Sequence, residues 1–234
     1  MRHILPHKNS NYYKEYHLKH PNYRRDYYLK NKEKFIINYK NFCYRVRENL
    51  FNTLGRVCSK CGFVDKRVLQ FDHKNGGGRE EIRRSYHLKM LTDYMRDYEL
   101  ANQKLQVLCA NCNWIKRVES NEIHRGEKYN TKQNIIKRYK SYILRLSLIN
   151  LLGGECVKCG LEDLRVLHID HINGGGSKRR LRDTLQTYYL NHCLDATQQL
   201  QILCANCNTI KKYENEECSS TNTSICLIKK INTS

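Results

Sequence analysis

The sequence predicts an α+β chain: two tandem small modules, each with a four-cysteine zinc site and each preceded by a basic helical segment. Three observations carry this. The stretch Val68-Leu-Gln-Phe-Asp72-His73-Lys-Asn75-Gly76-Gly77-Gly78 returns as Val166-Leu-His-Ile-Asp170-His171-Ile-Asn173-Gly174-Gly175-Gly176. Each copy follows a Cys-x-x-Cys-Gly and precedes a Leu-Cys-Ala-Asn-Cys-Asn. The copies lie 98 positions apart at the Asp-His pair and 95 apart at the second cysteine pair, so the second is three residues shorter in between. A period this long with two copies means duplicated domains, not a solenoid. A unit of roughly 60 residues has a marginal core, and a metal staple commonly completes it.

Residues 1–53 form a basic, tyrosine-rich arm with Tyr12, Tyr13, Tyr16, Tyr23, Tyr27, Tyr28, Tyr39 and Tyr44 among its lysines and arginines. Pro21 divides it, because proline lacks an N–H and clashes with the turn before it. From Tyr23 to Leu54, residues Tyr28, Phe35, Tyr39, Phe42 and Leu50 fall at helical spacing. Basic residues interleaved with aromatics can track phosphates and stack on bases. The other reading packs the tyrosines against the following module and leaves the charges merely solvated.

The first module spans residues 54–117. Cys58 and Cys61, closed by Gly62, form a tight turn. Arg67 to Asp72 reads as a strand, ended by the glycine run at 76–78. Glu80 to Glu99 carries Ile82, Tyr86, Met90 and Leu91 near helical spacing, so a helical insert is expected. Leu105 to Leu108 is a second strand. It runs into a helix that starts at the Cys109–Cys112 pair and carries Asn113, Trp114, Ile115, Lys116 and Arg117.

Residues 118–151 are a linker that turns basic and helical from Lys132. Its Tyr142, Arg145, Leu148, Leu152 and Gly153 match Tyr44, Arg47, Leu50, Leu54 and Gly55, so the repeat includes the helix ahead of each cysteine pair. The second module spans residues 152–212 with the same order of elements, and residues 213–234 form a polar tail.

The formal charge of +19 and a pI near 9.5 point to a polyanion partner, with nucleic acid first. No stretch approaches the roughly 20 apolar residues of a membrane span, and Arg145 interrupts the longest apolar run. The N-terminus lacks the apolar core of a secretion signal, so a reducing, intracellular setting is expected. The richness in lysine, asparagine and tyrosine fits an AT-rich genome, such as that of a phage or large DNA virus.

In a reducing compartment, Cys-x-x-Cys pairs are metal ligands more often than disulfides. Zinc takes four ligands, and each module offers four thiols: Cys58, Cys61, Cys109 and Cys112, then Cys156, Cys159, Cys204 and Cys207. A four-thiolate site has no open position, so this zinc is structural and the chemistry lies elsewhere. Cys43, Cys193, Cys218 and Cys226 have no counterpart in the other copy and read as free thiols.

The candidate chemistry is an Asp-His-Asn set in each module. Asp72 with Asn113, and Asp170 with Asn208, offer hard oxygen ligands that suit Mg²⁺ or Mn²⁺. His73 and His171 are candidate general bases for an attacking water. Neighbours on a regular strand point to opposite faces, so Asp and His can serve one site only if the strand ends or twists there. Taken singly, each residue is better read as a turn or helix-cap residue. Their duplication beside the same cysteines favours catalysis. Lys116, Arg117, Lys211 and Lys212 follow each asparagine and are candidate phosphate contacts.

The order Cys-x-x-Cys, Leu-x-x-Asp-His, glycine-rich loop, Leu-Cys-x-x-Cys-Asn-x-x-Lys resembles the zinc-containing H-N-H (HNH) endonucleases of the ββα-metal fold. The closest pattern is the recombination endonuclease VII type and related phage-like proteins. The resemblance covers the two modules, about half of the chain, and not the arms. It implies a β-hairpin and a helix gripping one divalent ion, the helix lying against the DNA minor groove. It also implies products with 5′-phosphate and 3′-hydroxyl ends. Asn113 and Asn208 depart from the many members that end the motif in histidine. Two modules in one chain also depart from the usual single module, and two intact sites in one chain could cut both strands without dimerising. The competing expectations are a non-catalytic, zinc-stabilised nucleic-acid-binding protein, or one active and one binding-only module.

Overall fold

The apolar residues of this chain gather around its cysteine pairs, and the fold gathers there too. The structure is a computed structural model that describes residues 15, 16, 18–84, 87–122, 131–174 and 185–215. Tyr12, Tyr13, Tyr86, Gly175, Gly176, Cys218, Cys226 and most of the expected tail lie outside the described residues.

Helices α1 (Tyr23–Lys30) and α2 (Lys32–Leu54) lead into the first unit. Asn31 parts them, its side-chain Nδ2 donating to the Tyr27 carbonyl at 2.8 Å. Val46, Leu50 and Phe51 lie on one face of α2 at helical spacing, and all three are buried. The other end of the arm stays exposed at Tyr23, Tyr27, Tyr28, Phe35 and Tyr39. Those rings meet one another: Tyr23 stacks on Tyr27 with centroids 6.1 Å apart, and Tyr27 and Tyr28 both lie near Phe35.

Strand β1 (Leu69–His73) pairs antiparallel with β2 (Leu105–Cys109), Leu69 facing Cys109 and His73 facing Leu105. The strand starts two residues later than expected. Asp65 accepts from the Arg67 N–H at 2.9 Å and holds residues 65–68 in a turn. The expected helical insert is three short helices, α3 (Gly78–Arg84), α4 (His87–Arg96) and α5 (Tyr98–Lys104). Asp97 makes the last break, because its side chain caps α5 at the Leu100 N–H. Helix α6 (Ala110–Glu119) leaves β2 without a loop.

The second unit repeats this order: α7 (Lys132–Leu151), β3 (Leu167–His171), α8 (Leu185–Asn191), α9 (Cys193–Gln199), β4 (Leu200–Cys204) and α10 (Ala205–Glu214). Its hairpin keeps the register, Leu167 facing Cys204 and His171 facing Leu200. The described chain is thus mixed α and β with two small antiparallel sheets.

An arginine pins each leading helix to its hairpin. Arg47 donates to the Leu69 carbonyl at 2.6 Å and lies over the Phe51 ring; Arg145 donates to the Leu167 carbonyl at 2.6 Å. The cores are shared between units. Ala205 and Ile210 pack into the core of Phe51, Leu69, Val107 and Leu108. Trp114 and Ile115 pack into the core of Ile149, Leu167, Ile202 and Leu203. Among the described residues, no helix is long and apolar enough to cross a membrane.

Candidate functional site

Each hairpin ends in a cysteine, and that residue joins the sheet, the next helix and a cluster of four thiols. Cys109 closes β2 and caps α6, its Sγ accepting from the Cys112 N–H at 3.4 Å. The Cys58–Cys61 turn closes by a Gly62 N–H bond to the Cys58 carbonyl at 2.9 Å, with Gly62 at φ 75° where other residues are strained. The Ser59 N–H then ties the turn to the Val107 carbonyl at 2.9 Å.

This brings the thiols of Cys58, Cys61, Cys109 and Cys112 within 4.8 Å of one another, and those of Cys156, Cys159, Cys204 and Cys207 likewise. Cys61 and Cys109 lie 3.7 Å apart, as do Cys159 and Cys204. A disulfide needs about 2.05 Å. A tetrahedral zinc with Zn–S near 2.3 Å sets its sulfurs about 3.8 Å apart. Each cluster can therefore hold one zinc ion. Burial pushes the Cys58 thiol up, but the backbone amides of Cys109, Cys61 and Lys60 more than offset it and bring it down to about 7. Cys156 comes down to about 7 in the same way. Burial and the neighbouring thiols push Cys112 and Cys207 up. Such crowded thiols ionise together only around a cation. Cys43 and Cys193 are free and belong to neither cluster.

Helix α6, started by the cysteine cap, lies along one face of β1. Alternation puts Gln70 and Asp72 on that face. Asn113 Nδ2 donates to Gln70 Oε1 at 2.6 Å, and one turn later Lys116 Nζ donates to Asp72 Oδ2 at 2.6 Å. Gln106 on β2 donates to the same carboxylate at 2.9 Å. The single oxygen of that amide, Asn113 Oδ1, is buried without a hydrogen-bond partner. The structure therefore brings Asp72 and Asn113 to one face through Gln70 and Lys116.

The His73 ring turns the other way, toward the insert. Its Nε2 lies 2.7 Å from Glu81 Oε2, and the buried Tyr94 hydroxyl donates to both Glu81 oxygens at 2.9 Å. Burial, then this carboxylate, holds the Tyr94 hydroxyl well above its ordinary pKa. The Nδ1 edge faces Gly78, where a Cβ would come within 2.5 Å. Lys116 bonds the Asp72 carboxylate and the backbone carbonyl of His73, while the His73 ring itself lies on the insert side of β1.

The second unit repeats much of this. Gln201 donates to Asp170 at 3.1 Å, and Lys211 bonds both Asp170 and the His171 carbonyl. Asn208 Oδ1 is again buried without a partner. Around His171 the tyrosine is kept, Tyr189 lying 3.4 Å from Nε2 where Tyr94 lies 3.5 Å from that of His73, and Tyr189 bonds Gln199 where Tyr94 bonds Glu81. His168 stands where the first unit has Gln70, and burial, then Lys212 and Arg145, lower its pKa. It meets Trp114 of the first unit edge-on at 5.3 Å.

No family model, curated protein or solved structure matches this chain.

The four basic candidates differ in setting. Lys116 and Lys211 are largely buried against Asp72 and Asp170. Arg117 lies over the Trp114 ring at 4.8 Å. Lys212 sits near enough to His168 to lower its pKa. Sequence reasoning passed over Glu81, Tyr94 and Gln106. For Gln106 and Tyr94 a signal existed, because Gln201 and Tyr189 repeat them; for Glu81 there was none.

Proposed function

We propose that the chain is a metal-dependent DNA endonuclease of the H-N-H type, with one ββα-metal centre in each unit. The observation that carries this is the pair of orphaned oxygens, Asn113 Oδ1 and Asn208 Oδ1, each buried on the face that holds a carboxylate. A buried acceptor without a donor costs about 1–3 kcal/mol, and a cation beside it removes that cost. Asp72 with Asn113, and Asp170 with Asn208, supply the hard oxygens that suit Mg²⁺ or Mn²⁺. When bound, that ion stabilises the charge growing on the phosphate and on the leaving 3′-oxygen.

The rest falls to the side chains. With Nε2–H donated to Glu81, the lone pair of His73 sits on Nδ1, the edge that Gly78 leaves open. His73 takes a proton there from the attacking water. The water oxygen bonds to phosphorus, the bond to the 3′-oxygen breaks, and solvent protonates the leaving oxygen. The products carry a 5′-phosphate and a 3′-hydroxyl. His171 has the same part in the second unit. The +19 charge, the exposed basic and aromatic arm, and Arg117 and Lys212 are the candidate DNA-binding features.

The second reading is a zinc-stabilised nucleic-acid-binding protein without catalysis. It is favoured by Lys116 and Lys211, which already neutralise both carboxylates. Supercoiled plasmid with Mg²⁺ separates the two. The intact protein is expected to cut it, EDTA to stop it, and His73→Ala with His171→Ala to abolish it. Binding without cutting, in Mg²⁺ and in Mn²⁺, on linear, supercoiled and branched DNA, leaves the second reading standing. Loss of all cutting in one single variant makes the other unit a binding-only module.

A further inference from the structure

The two units meet through α6 and α10, and their contacts come in exchanged pairs. The Asn111 N–H donates to Asn206 Oδ1 at 3.0 Å, and the Asn206 N–H donates to Asn111 Oδ1 at 2.9 Å. These asparagines occupy one position of the repeat, 95 residues apart. Arg67 bonds Glu214 at 3.0 Å, and Arg165 bonds Glu119 at 2.9 Å. Here too the positions correspond and the roles swap. Ile115 packs into the second core, and its counterpart Ile210 into the first. An interface where i meets j and j meets i is isologous, the signature of a two-fold axis. Two identical chains commonly make such an interface, and here one chain makes it with itself.

We infer that this pseudo-two-fold axis relates the two candidate centres so that they serve opposite strands of one DNA duplex, and a single chain makes one cut in each strand. The inference rests on the nuclease reading. The strands of a duplex are antiparallel and are themselves related by two-fold axes across the helix, so a two-fold pair of sites meets equivalent phosphates on both. The substrate class is therefore double-stranded DNA. The symmetry is broken beside the centres, where Trp114 meets His168 while the matching positions hold Thr209 and Gln70.

The test uses the full chain. Sedimentation velocity is expected to give the mass of one 27.9 kDa chain. With protein in excess over supercoiled plasmid, linear product is expected without released nicked circle, at a rate first order in protein. His73→Ala and His171→Ala should each stop at nicked circle. Asn111→Ala combined with Asn206→Ala, checked to keep two zinc ions per chain, should still nick but lose at least tenfold in directly formed linear product. Cutting that stops at nicks in the intact protein, or linearisation that needs two chains, overturns this inference and leaves the nuclease reading intact. No cutting by any form removes the nuclease reading, and this inference falls with it.

Discussion

The side-chain oxygen of Asn206 accepts from the backbone N–H of Asn111, and that of Asn111 accepts in return from the N–H of Asn206. Both N–H groups lie in the first turn of a helix, where no intrahelical carbonyl reaches them. Each unit thus caps the helix of the other. Asn206 is buried and the bond it accepts is partly so, and Asn206→Ala leaves the Asn111 N–H without its partner. The expected cost is about 1–3 kcal/mol, read as a lower urea midpoint. Adding Asn111→Ala should cost less than the sum of the singles, since the two bonds form together. Full additivity would mean that they act independently.

Metal analysis should find two zinc ions per chain. Cys58→Ser or Cys156→Ser should lower that to one and unfold the unit concerned, with a loss of far-ultraviolet ellipticity. Structural zinc in small finger peptides binds with about 10–16 kcal/mol, far more than a unit this size holds in its core. Cys43→Ala and Cys193→Ala should leave the count at two.

Lys116 and Asp72 are mostly buried, with side chains 15% and 12% exposed. Removing one partner of such a pair costs about 3–5 kcal/mol, because the other charge stays buried. Lys116→Met is therefore expected to melt well below the parent in EDTA. Mg²⁺ should raise its melting temperature more than that of the parent, since the carboxylate is then open to a cation. No Mg²⁺ response in the variant would rule out an ion at Asp72.

Gly78 gives the His73 ring its room. A methyl there would lie 2.5 Å from Nδ1, closer than two such atoms can stand, so the ring must turn. Gly78→Ala, made in a His171→Ala background, should cut nicking at least tenfold while zinc content stays the same. Unchanged nicking would remove Nδ1 as the base.

The turn before each hairpin carries an acid dependence. Hydrogen bonds from Arg67 outweigh burial and hold the Asp65 carboxyl below its ordinary range, and Arg165 does the same for Asp163. A folded value below the unfolded one, near 3.9, favours the folded state above that pH. The contribution fades as pH falls through the lowered value. Asp65→Asn and Asp163→Asn should flatten the melting-temperature profile below about pH 4 and leave its shape near pH 7 unchanged. Both arginines also bridge to the opposite unit, so the junction should loosen over the same acid range in the parent.

Much of this was legible because it is local. Cysteine spacing, the strand-like run that ends at Asp72 before the glycines, and the helical spacing of Tyr39, Phe42 and Leu50 each act within a few residues. The α7 helix appears where the basic pattern from Lys132 placed it. What the sequence hid depends on how elements dock. Lys116 reads as a free basic residue on a helix; only the seating of α6 on β1 turns it to Asp72. Glu81 reaches His73 from an insert whose path no periodicity defines. Asn111 and Asn206 look like polar residues between two cysteines, and their pairing belongs to the junction, not to either copy.

The shared core has a consequence for the order of synthesis. Ala205 and Ile210 complete the core of the first unit, yet Ala205 is made roughly ninety residues after Cys112. At the pace of a ribosome that is a wait of about 5–20 s. Throughout it the nascent first unit, zinc-bound or not, shows an apolar seat that its own residues do not cover. Chaperones bind such surfaces, and aggregation begins on them. Severing the chain between the units would therefore yield two adhesive halves rather than two soluble ones.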